Sequence, residues 1–288
     1  MEGRMNMSEF WKNINTYYKR YGLHATIVRI MDKLTGQSRV DYMTWYQKTK
    51  PTKQVLKIQR ETTFPYMPEI LVIVLENKSG SHRLADSLKN QTYSRWKLCK
   101  IRELNDVVEI LKEAKEEYVL IMQPEDELST DAFFQCVKSL NADRTIEAIY
   151  SDDDIIKNET EYEEPAMKPD LNLDMLRSCN YIHNFLLVKK KLCQELFEEC
   201  LESWNGQIDW KYDFIFRCIE EKHSIHHIAK VLYHRNVEHV QVCDEQERKA
   251  IDMHLKRMNI KGNVEKTEYR GIYRVRYTME ETPLISIV

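Results

Sequence analysis

An alternation of short apolar runs with longer amphipathic segments, between residues 68 and 156, constrains the fold of this chain more than any other feature. The apolar runs are short and rich in β-branched residues, as in buried strands, whereas the segments between them have the periodicity of helices. The predicted strands cover residues 69–77, 96–102, 118–123 and 146–153. Strands that alternate with helices at this spacing predict an α/β fold with a mainly parallel sheet flanked by helices.

Helical patterns dominate both ends of the chain. Residues 8–34 and 41–60 are predicted to be helical, which gives the chain a helical N-terminal extension. Beyond the first four strands, residues 225–235 predict a strand and residues 244–260 a helix. The last eight residues, ETPLISIV, are apolar and β-branched and predict one more strand.

The charge of the chain is unevenly distributed. The whole chain carries −3, but residues 1–60 hold 12 Lys and Arg against 4 Asp and Glu, which is +8, so the remainder carries −11. The basic residues are interleaved with aromatic and aliphatic ones, as in an amphipathic helix. Two interpretations are open: this segment packs on its own domain, or it contacts an anionic membrane surface. The acidic remainder argues against a nucleic-acid partner.

Cysteine usage and hydropathy predict a cytoplasmic protein. Seven cysteines are scattered without a CxxC pair, which favours free thiols over a disulfide framework or a zinc site. The longest apolar run, residues 70–75, is far shorter than the roughly 20 residues of a membrane span. The N-terminus has no apolar signal-peptide core. Any membrane contact is therefore expected to be peripheral, at the inner face of the plasma membrane.

Acidic residues lie at the carboxyl ends of two of the predicted strands. These ends are residues 123–127 and 151–154. Because ligands of such sheets bind at the carboxyl ends of the strands, these side chains are candidate site residues. Asp152, Asp153 and Asp154 either form a solvated turn or face something positive, such as a metal ion or the hydroxyls of a sugar.

Five stretches in a fixed order carry a resemblance to a known family. They are SLKNQTYSRWKL (87–98), YVLIMQPEDEL (118–128), IYSDDDII (149–156), MKPDLNLDMLRSCNYI (167–182) and IHHIAKVLYHR (225–235). With these stretches the chain resembles the family 2 glycosyltransferases, in particular the bacterial ones that build surface polysaccharides. The resemblance covers roughly residues 17–288. It implies a GT-A-like fold and inverting transfer of a sugar from a nucleotide-diphospho-sugar to a growing glycan or lipid-linked acceptor.

The resemblance also implies a division of the chain. PLISIV near the C-terminus is similar to PEILVIV at residues 68–74, which opens the glycosyltransferase-like domain. We therefore expect four parts. They are a basic helical extension (1–66), a glycosyltransferase-like α/β domain (67–236), a C-terminal helix and linker (237–280), and the start of a truncated second domain (281–288).

A divalent cation, Mg²⁺ or Mn²⁺, is implied for the leaving diphosphate. The family's Asp-x-Asp slot reads Gln123-Pro124-Glu125 here and is followed by Asp126, so Glu125 and Asp126 are the candidate ligands. His234 falls where related enzymes supply a late metal or phosphate ligand. An acidic turn that leads into a helix is the alternative for Glu125 and Asp126, since carboxylates favour helix N-termini.

The general base is expected two residues before the aspartate of a helix-opening motif, for which WKYDFIFRC is the matching stretch. Asp213 fits that aspartate, but Lys211 occupies the base position, and a protonated lysine accepts no proton at neutral pH. Asp209 is then the nearest candidate base, and Asp213 the second candidate catalytic acid. Helix capping and first-turn charge are the alternative roles for both.

Substrate contacts are implied for Asp152, Asp154 and Lys168 on the sugar or acceptor side and for Asn77 on the donor side. Departures from the family pattern accumulate on the donor side, at Gln123, Lys211 and the turn before Asn77. Two functions therefore stay open from the sequence. The chain is an active glycosyltransferase, or it is a non-catalytic pseudo-glycosyltransferase that binds glycan or scaffolds an active second domain.

Overall fold

The computed structural model describes residues 42–76, 81–204, 206–220, 224–236 and 244–279, together with individual positions between 14 and 31. Two predictions from the sequence lie outside these residues: the donor-side role of Asn77, and the second domain that begins at residue 281. Most of the basic N-terminal segment also lies outside them. Among the described residues, no helix is both long and apolar enough to cross a membrane.

The described helices begin with α1 (Tyr42–Thr49) and α2 (Lys53–Glu61) before the sheet. The other helices are α3 (Arg83–Lys89), α4 (Asp106–Glu113), α5 (Ala132–Ala142), α6 (Leu173–Ser178), α7 (Lys190–Cys200), α8 (Trp210–Glu220) and α9 (Asp244–Arg257). A short 3₁₀ turn, Leu201–Ser203, follows α7.

The strands are β1 (Ile70–Leu75), β2 (Trp96–Ile101), β3 (Tyr118–Met122), β4 (Glu127–Leu128), β5 (Ala148–Ile156), β6 (Tyr162–Ala166), β7 (Leu186–Lys189), β8 (Ile225–Arg235), β9 (Gly262–Lys266) and β10 (Tyr273–Tyr277). The first eight form one sheet in the order β2-β1-β3-β7-β5-β8-β4, with β6 paired to β5. The last two form a separate antiparallel pair.

The sheet is mixed but mainly parallel, as the sequence predicts. Strands β1, β2, β3, β5 and β8 run in one direction, while β7, β4 and β6 run against them. The carboxyl ends of β3, β5 and β8 therefore meet at the same edge of the sheet, which is where open α/β sheets place their ligands.

Apolar clusters cover both faces of the sheet. One joins strand residues such as Val119 and Tyr150 to α7, α8 and α9, and the other joins Val72 and Leu120 to α3 and α5. Six cysteines lie in the described residues and all are free thiols, as expected.

The N-terminal helices dock on the sheet. Tyr46 of α1 is buried against Tyr162 and Val231, and the side chain of Gln59 in α2 donates to Asp131 at 3.2 Å and accepts from Thr92 at 3.1 Å. The contacts of residues 42–60 therefore agree with the first interpretation, in which the basic extension packs on its own domain. Contact of residues 1–60 with a membrane surface stays a prediction.

Strand β5 is longer than the sequence predicts, and this changes the environment of the three aspartates. It runs to Ile156, so Asp152, Asp153 and Asp154 lie inside a fully buried strand rather than in a turn at its tip. The interpretation as a solvated turn is therefore wrong. A run of three carboxylates is compatible with a buried strand because each finds polar partners on neighbouring elements, as described below.

Candidate functional site

Charged side chains meet at the edge of the sheet where β3, β5 and β8 end. We call them the carboxyl-end cluster, which consists of Asp126, Asp153, Lys168, His183, Lys211 and Arg235. Asp126 follows β3, Asp153 lies near the end of β5, and Arg235 is the last residue of β8.

Asp153 is the centre of this cluster. Its side chain is fully buried and lies 2.6 Å from Lys168 Nζ, 2.7 Å from His183 Nδ1 and 2.9 Å from Arg235 Nε. Burial on its own raises the pKa of a carboxyl group, but the three basic side chains outweigh it and hold the pKa of Asp153 well below its usual range. Asp153 is therefore a permanent anion held between basic groups.

The basic partners of Asp153 also have shifted pKa values. Burial lowers the pKa of the Lys168 ammonium, which the charge of Asp153 partly offsets. Burial, followed by the positive charge of Arg235, lowers the pKa of His183 to about 4, so this imidazole is neutral at pH 7.

Asp126 lies at the other side of the same cluster. Its carboxylate accepts hydrogen bonds from the Tyr233 hydroxyl at 2.5 Å and from the Asn236 backbone N–H at 3.0 Å. Burial raises its pKa to about 6, while those two hydrogen bonds and the charges of Lys211 and Arg235 act in the opposite direction. Glu125, next to it, is also buried.

Lys211 occupies the position at which the resemblance expects a general base. Its ammonium donates to Asn184 Oδ1 at 3.0 Å, and burial lowers its pKa, against the negative charges of Asp126, Asp209 and Glu125. With His183 and Asn184 it lines a small cavity of about 30 Å³ between the sheet and α8, room for roughly one water molecule. Lys211 thus brings a half-buried amine to the carboxyl-end cluster.

Asp152 and Asp154 have different partners from Asp153, because successive side chains of a strand point to opposite faces. Asp152 lies 2.8 Å from His227 Nε2 and accepts from the Lys168 backbone N–H at 2.8 Å. Asp154 lies 2.6 Å from His234 Nδ1 and accepts from the Tyr42 hydroxyl at 2.6 Å. Both carboxylates are thus engaged by protein groups, and their predicted contacts to a sugar stay a prediction.

The predicted metal ligands Glu125, Asp126 and His234 are not brought together. Tyr233 and His234 are adjacent in β8 and point to opposite faces, so Asp126, which contacts Tyr233, is separated from His234. His234 uses Nδ1 on Asp154 and Nε2 on the Tyr46 hydroxyl, 3.0 Å away. Among the described residues, no group of three His, Cys, Asp or Glu side chains is arranged to hold a metal ion. Their role as ligands of Mg²⁺ or Mn²⁺, which bind through one or two carboxylates and substrate phosphates, stays a prediction.

The two predicted catalytic aspartates have different surroundings. Asp213 is buried in α8, where it accepts from Trp204 Nε1 at 2.8 Å, Arg217 Nε at 2.9 Å and Arg257 Nη2 at 2.7 Å. These partners bind α8 to α9, which is the arrangement of a structural ion pair. Asp209 accepts the Tyr212 backbone N–H at 3.0 Å and so caps the start of α8, next to Lys211.

A pocket of about 80 Å³ lies at the carboxyl ends of β1 and β2. Glu76, His82, Lys100 and Pro124 are among the residues that line it.

Sequence reasoning missed several residues of these networks. His183 and Arg235 contact Asp153, and Tyr42 and Tyr46 link α1 to Asp154 and His234. Their sequence signal was weak, since single His, Arg and Tyr residues recur throughout the chain. The position of Arg235 directly after His234, at the end of a predicted strand, was the one usable indication.

Comparisons with known proteins agree with the resemblance seen in the sequence. No protein-family model matches the chain. The chain is 32% identical over 196 residues to an uncharacterized protein, y4gI, of Sinorhizobium fredii, an alignment that covers 64% of this chain and 21% of the relative. It is 26% identical over 245 residues to the O-antigen biosynthesis protein RfbC of Myxococcus xanthus, covering 81% of this chain and 18% of that protein. The chain thus spans about a fifth of the length of these relatives.

Solved structures with a similar backbone include two sugar-nucleotide complexes. One is S. aureus TarS 1-349 in complex with UDP-GlcNAc, with a TM-score of 0.46, 11% identity and coverage of 66% of either chain. The other is the mannosyltransferase PcManGT of Pyrobaculum calidifontis in complex with GDP-Man and Mn²⁺, with a TM-score of 0.44, 14% identity, and coverage of 75% of this chain and 71% of that one.

Proposed function

We propose that this chain is a nucleotide-sugar glycosyltransferase domain of bacterial surface-polysaccharide assembly. It would transfer a sugar, with inversion, from a nucleotide-diphospho-sugar to a growing glycan or a lipid-linked acceptor. The observation that carries the proposal is the carboxyl-end cluster, which gathers acidic and basic side chains from β5, β8 and α8 at the ligand-binding edge of the sheet. The similarity to an O-antigen biosynthesis protein supports the same function.

The residues of the chain suggest roles for this reaction. Lys211 and Arg235 supply positive charge at the edge of the sheet, where it would stabilise the negative charge of a leaving diphosphate. Asp209 lies next to Lys211 and is the candidate to accept the proton of the acceptor hydroxyl. Glu125 and Asp126 are the candidate side chains to hold a divalent cation, which would neutralise the charge of the leaving diphosphate.

Donor binding and turnover test this proposal. The full chain is titrated calorimetrically with UDP-GlcNAc, GDP-mannose and dTDP-rhamnose, with Mn²⁺ and with EDTA. Release of the nucleoside diphosphate is followed by chromatography, with water as the acceptor of the sugar when no glycan is supplied. We expect saturable binding of at least one donor and release of its nucleoside diphosphate. Asp209→Asn should lower kcat at least tenfold and leave donor binding unchanged, whereas Asp174→Asn, a change at an exposed carboxylate, should alter neither.

A second candidate function is a non-catalytic domain that binds glycan or scaffolds an active domain. It is favoured by Lys211 in the base position and by the engagement of Asp152, Asp154 and Asp213 with protein partners. The same experiment separates the two functions. Absence of binding and of nucleoside diphosphate release for every donor, with an intact fold by circular dichroism, would contradict transferase activity and favour this second function.

A further inference from the structure

A second pocket lies away from the carboxyl-end cluster, between α1 and the middle of β8. Its volume is about 250 Å³, just below the range of roughly 300–1,000 Å³ that is typical of small-molecule sites. Trp45 and Lys50 line it from the N-terminal side, and Ser129, Asp131 and Lys230 line it from the sheet and α5. We call it the α1 pocket.

Buried polar contacts hold in place the wall of the α1 pocket that α1 provides. The Tyr46 hydroxyl lies 3.0 Å from His234 Nε2, and His234 lies 2.6 Å from Asp154 in β5, so buried polar contacts tie the helix to the sheet. Trp45, the next residue, remains 40% exposed although its ring stacks on Tyr42. The pocket is thus preformed and keeps an accessible aromatic surface.

Lys50 provides a hydrogen-bond donor to the pocket. Its ammonium lies 4.4 Å from the centre of the Tyr46 ring and 5.4 Å from that of Tyr162, and no salt bridge to a described carboxylate holds it. Burial lowers its pKa, which the charges of Glu127 and Asp154 partly offset. Lys50 lines the pocket, and its ammonium can donate to an oxygen that is bound there.

Asp131 provides the matching acceptor. Its Oδ2 accepts from the amides of Gln59 at 3.2 Å and Gln135 at 2.7 Å, which fixes the orientation of the carboxylate. Both of these bonds go to the same oxygen, so Oδ1 retains acceptor capacity. The carboxylate offsets one of the two lysine charges of the lining, those of Lys50 and Lys230, and gives the pocket an acceptor that a ligand with hydroxyl groups can use and an anion cannot.

An aromatic surface next to one donor and one fixed acceptor, in a pocket of this size, matches the chemistry of a sugar. A sugar ring offers an apolar C–H face for Trp45, hydroxyl protons for Asp131 and hydroxyl oxygens for Lys50. We propose that the α1 pocket binds one neutral sugar unit of a glycan, at a site separate from the carboxyl-end cluster. The inference does not depend on sugar transfer at that cluster.

The experiment follows the indole N–H signal of Trp45 in the full ¹⁵N-labelled chain. The chain has five tryptophans, and loss of one signal in Trp45→Phe assigns it. The probes are D-glucose, D-galactose, D-mannose, L-rhamnose and N-acetyl-D-glucosamine, with inorganic phosphate as the anionic comparison. We expect saturable movement of the Trp45 signal by at least one of these sugars and no movement by phosphate.

Two variants localise the binding. Asp131→Asn and Lys50→Met retain the shape of the side chains and should each weaken the affinity for that sugar at least tenfold. Lys48→Met, at an exposed lysine in α1, should leave the affinity for that sugar unchanged. Thermal melting of each variant establishes that it is folded.

The outcomes separate this inference from the proposed function. No movement of the Trp45 signal with any sugar, movement with phosphate alone, or full affinity in both Asp131→Asn and Lys50→Met would overturn the α1 pocket as a sugar site. None of these results bears on donor binding at the carboxyl-end cluster, which the calorimetric titration measures separately.

Discussion

Asp153 and Asp213 are both buried carboxylates with three basic or polar donors, but they lie in different parts of the molecule. Asp153 joins Lys168, His183 and Arg235 at the edge where the parallel strands end. Asp213 joins Trp204, Arg217 and Arg257 between α8 and α9, inside the helical layer. The two carboxylates are similarly buried and similarly paired. Asp153 is the candidate functional residue because it lies at the carboxyl ends of the parallel strands, whereas Asp213 joins two helices.

The largest effect is expected for Asp153→Ala. The substitution leaves the buried ammonium of Lys168 without its anion, and breaking a buried pair in this way costs about 4–5 kcal/mol. Urea unfolding at pH 7 measures this loss. If Asp153 belongs to a functional site, the folded fraction of the variant also loses donor binding. Retained donor binding would mean that Asp153, like Asp213, only stabilises the fold.

Asp213→Ala should destabilise the fold by about 3–4 kcal/mol, since Arg217 and Arg257 lose their shared carboxylate. The folded fraction should bind donor as the unmodified chain does. Asp174→Ala is the matched control: Asp174 pairs with Arg177 at an exposed position, so its loss should change stability by less than about 0.5 kcal/mol. If folded Asp213→Ala also lost donor binding, Asp213 would not be purely structural, and the difference drawn between Asp213 and Asp153 would be wrong.

Asp126→Asn tests the carboxyl-end cluster through pH. The folded pKa of Asp126 is raised to about 6, so the folded state binds this proton more tightly than the unfolded state does. The contribution of Asp126 to stability is therefore fully present below about pH 4 and declines by about 3 kcal/mol as the pH rises to about 6.

Asparagine does not titrate, so the stability of the unmodified chain minus that of Asp126→Asn should decline over the same range. Urea unfolding of both proteins between pH 4 and pH 7 measures the difference. A difference that is independent of pH would mean that Asp126 is not desolvated in this way.

The smallest effect is expected for Tyr46→Phe, which removes the hydroxyl that links α1 to His234. Loss of one buried hydrogen bond should destabilise the fold by about 1 kcal/mol. Tyr277→Phe, at a half-exposed tyrosine, is the control and should change stability by less than about 0.5 kcal/mol. Equal unfolding midpoints for Tyr46→Phe and the unmodified chain would show that this link contributes nothing to the docking of α1.

The fold was largely predictable because it depends on local patterns. Short β-branched runs separated by amphipathic helices predict a mainly parallel sheet, and the structure confirms the α/β class and the strands near residues 70, 96, 118 and 225. The length of β5 was not predictable, since three consecutive aspartates resemble a turn. The partners supplied by β8, by the segment from residue 167 to residue 183 and by Tyr42 of α1 allow them to be buried.

The sequence by itself determined which elements form and the chemical types of side chain that follow the strands, because periodicity and residue type are local properties. The tertiary structure alone decided that Asp153 faces Lys168 and Arg235, that His234 turns away from Asp126 to meet Asp154, and that Trp45, Lys50 and Asp131 line one pocket. These residues are distant in sequence, so only strand order, strand-face alternation and helix docking place them in contact.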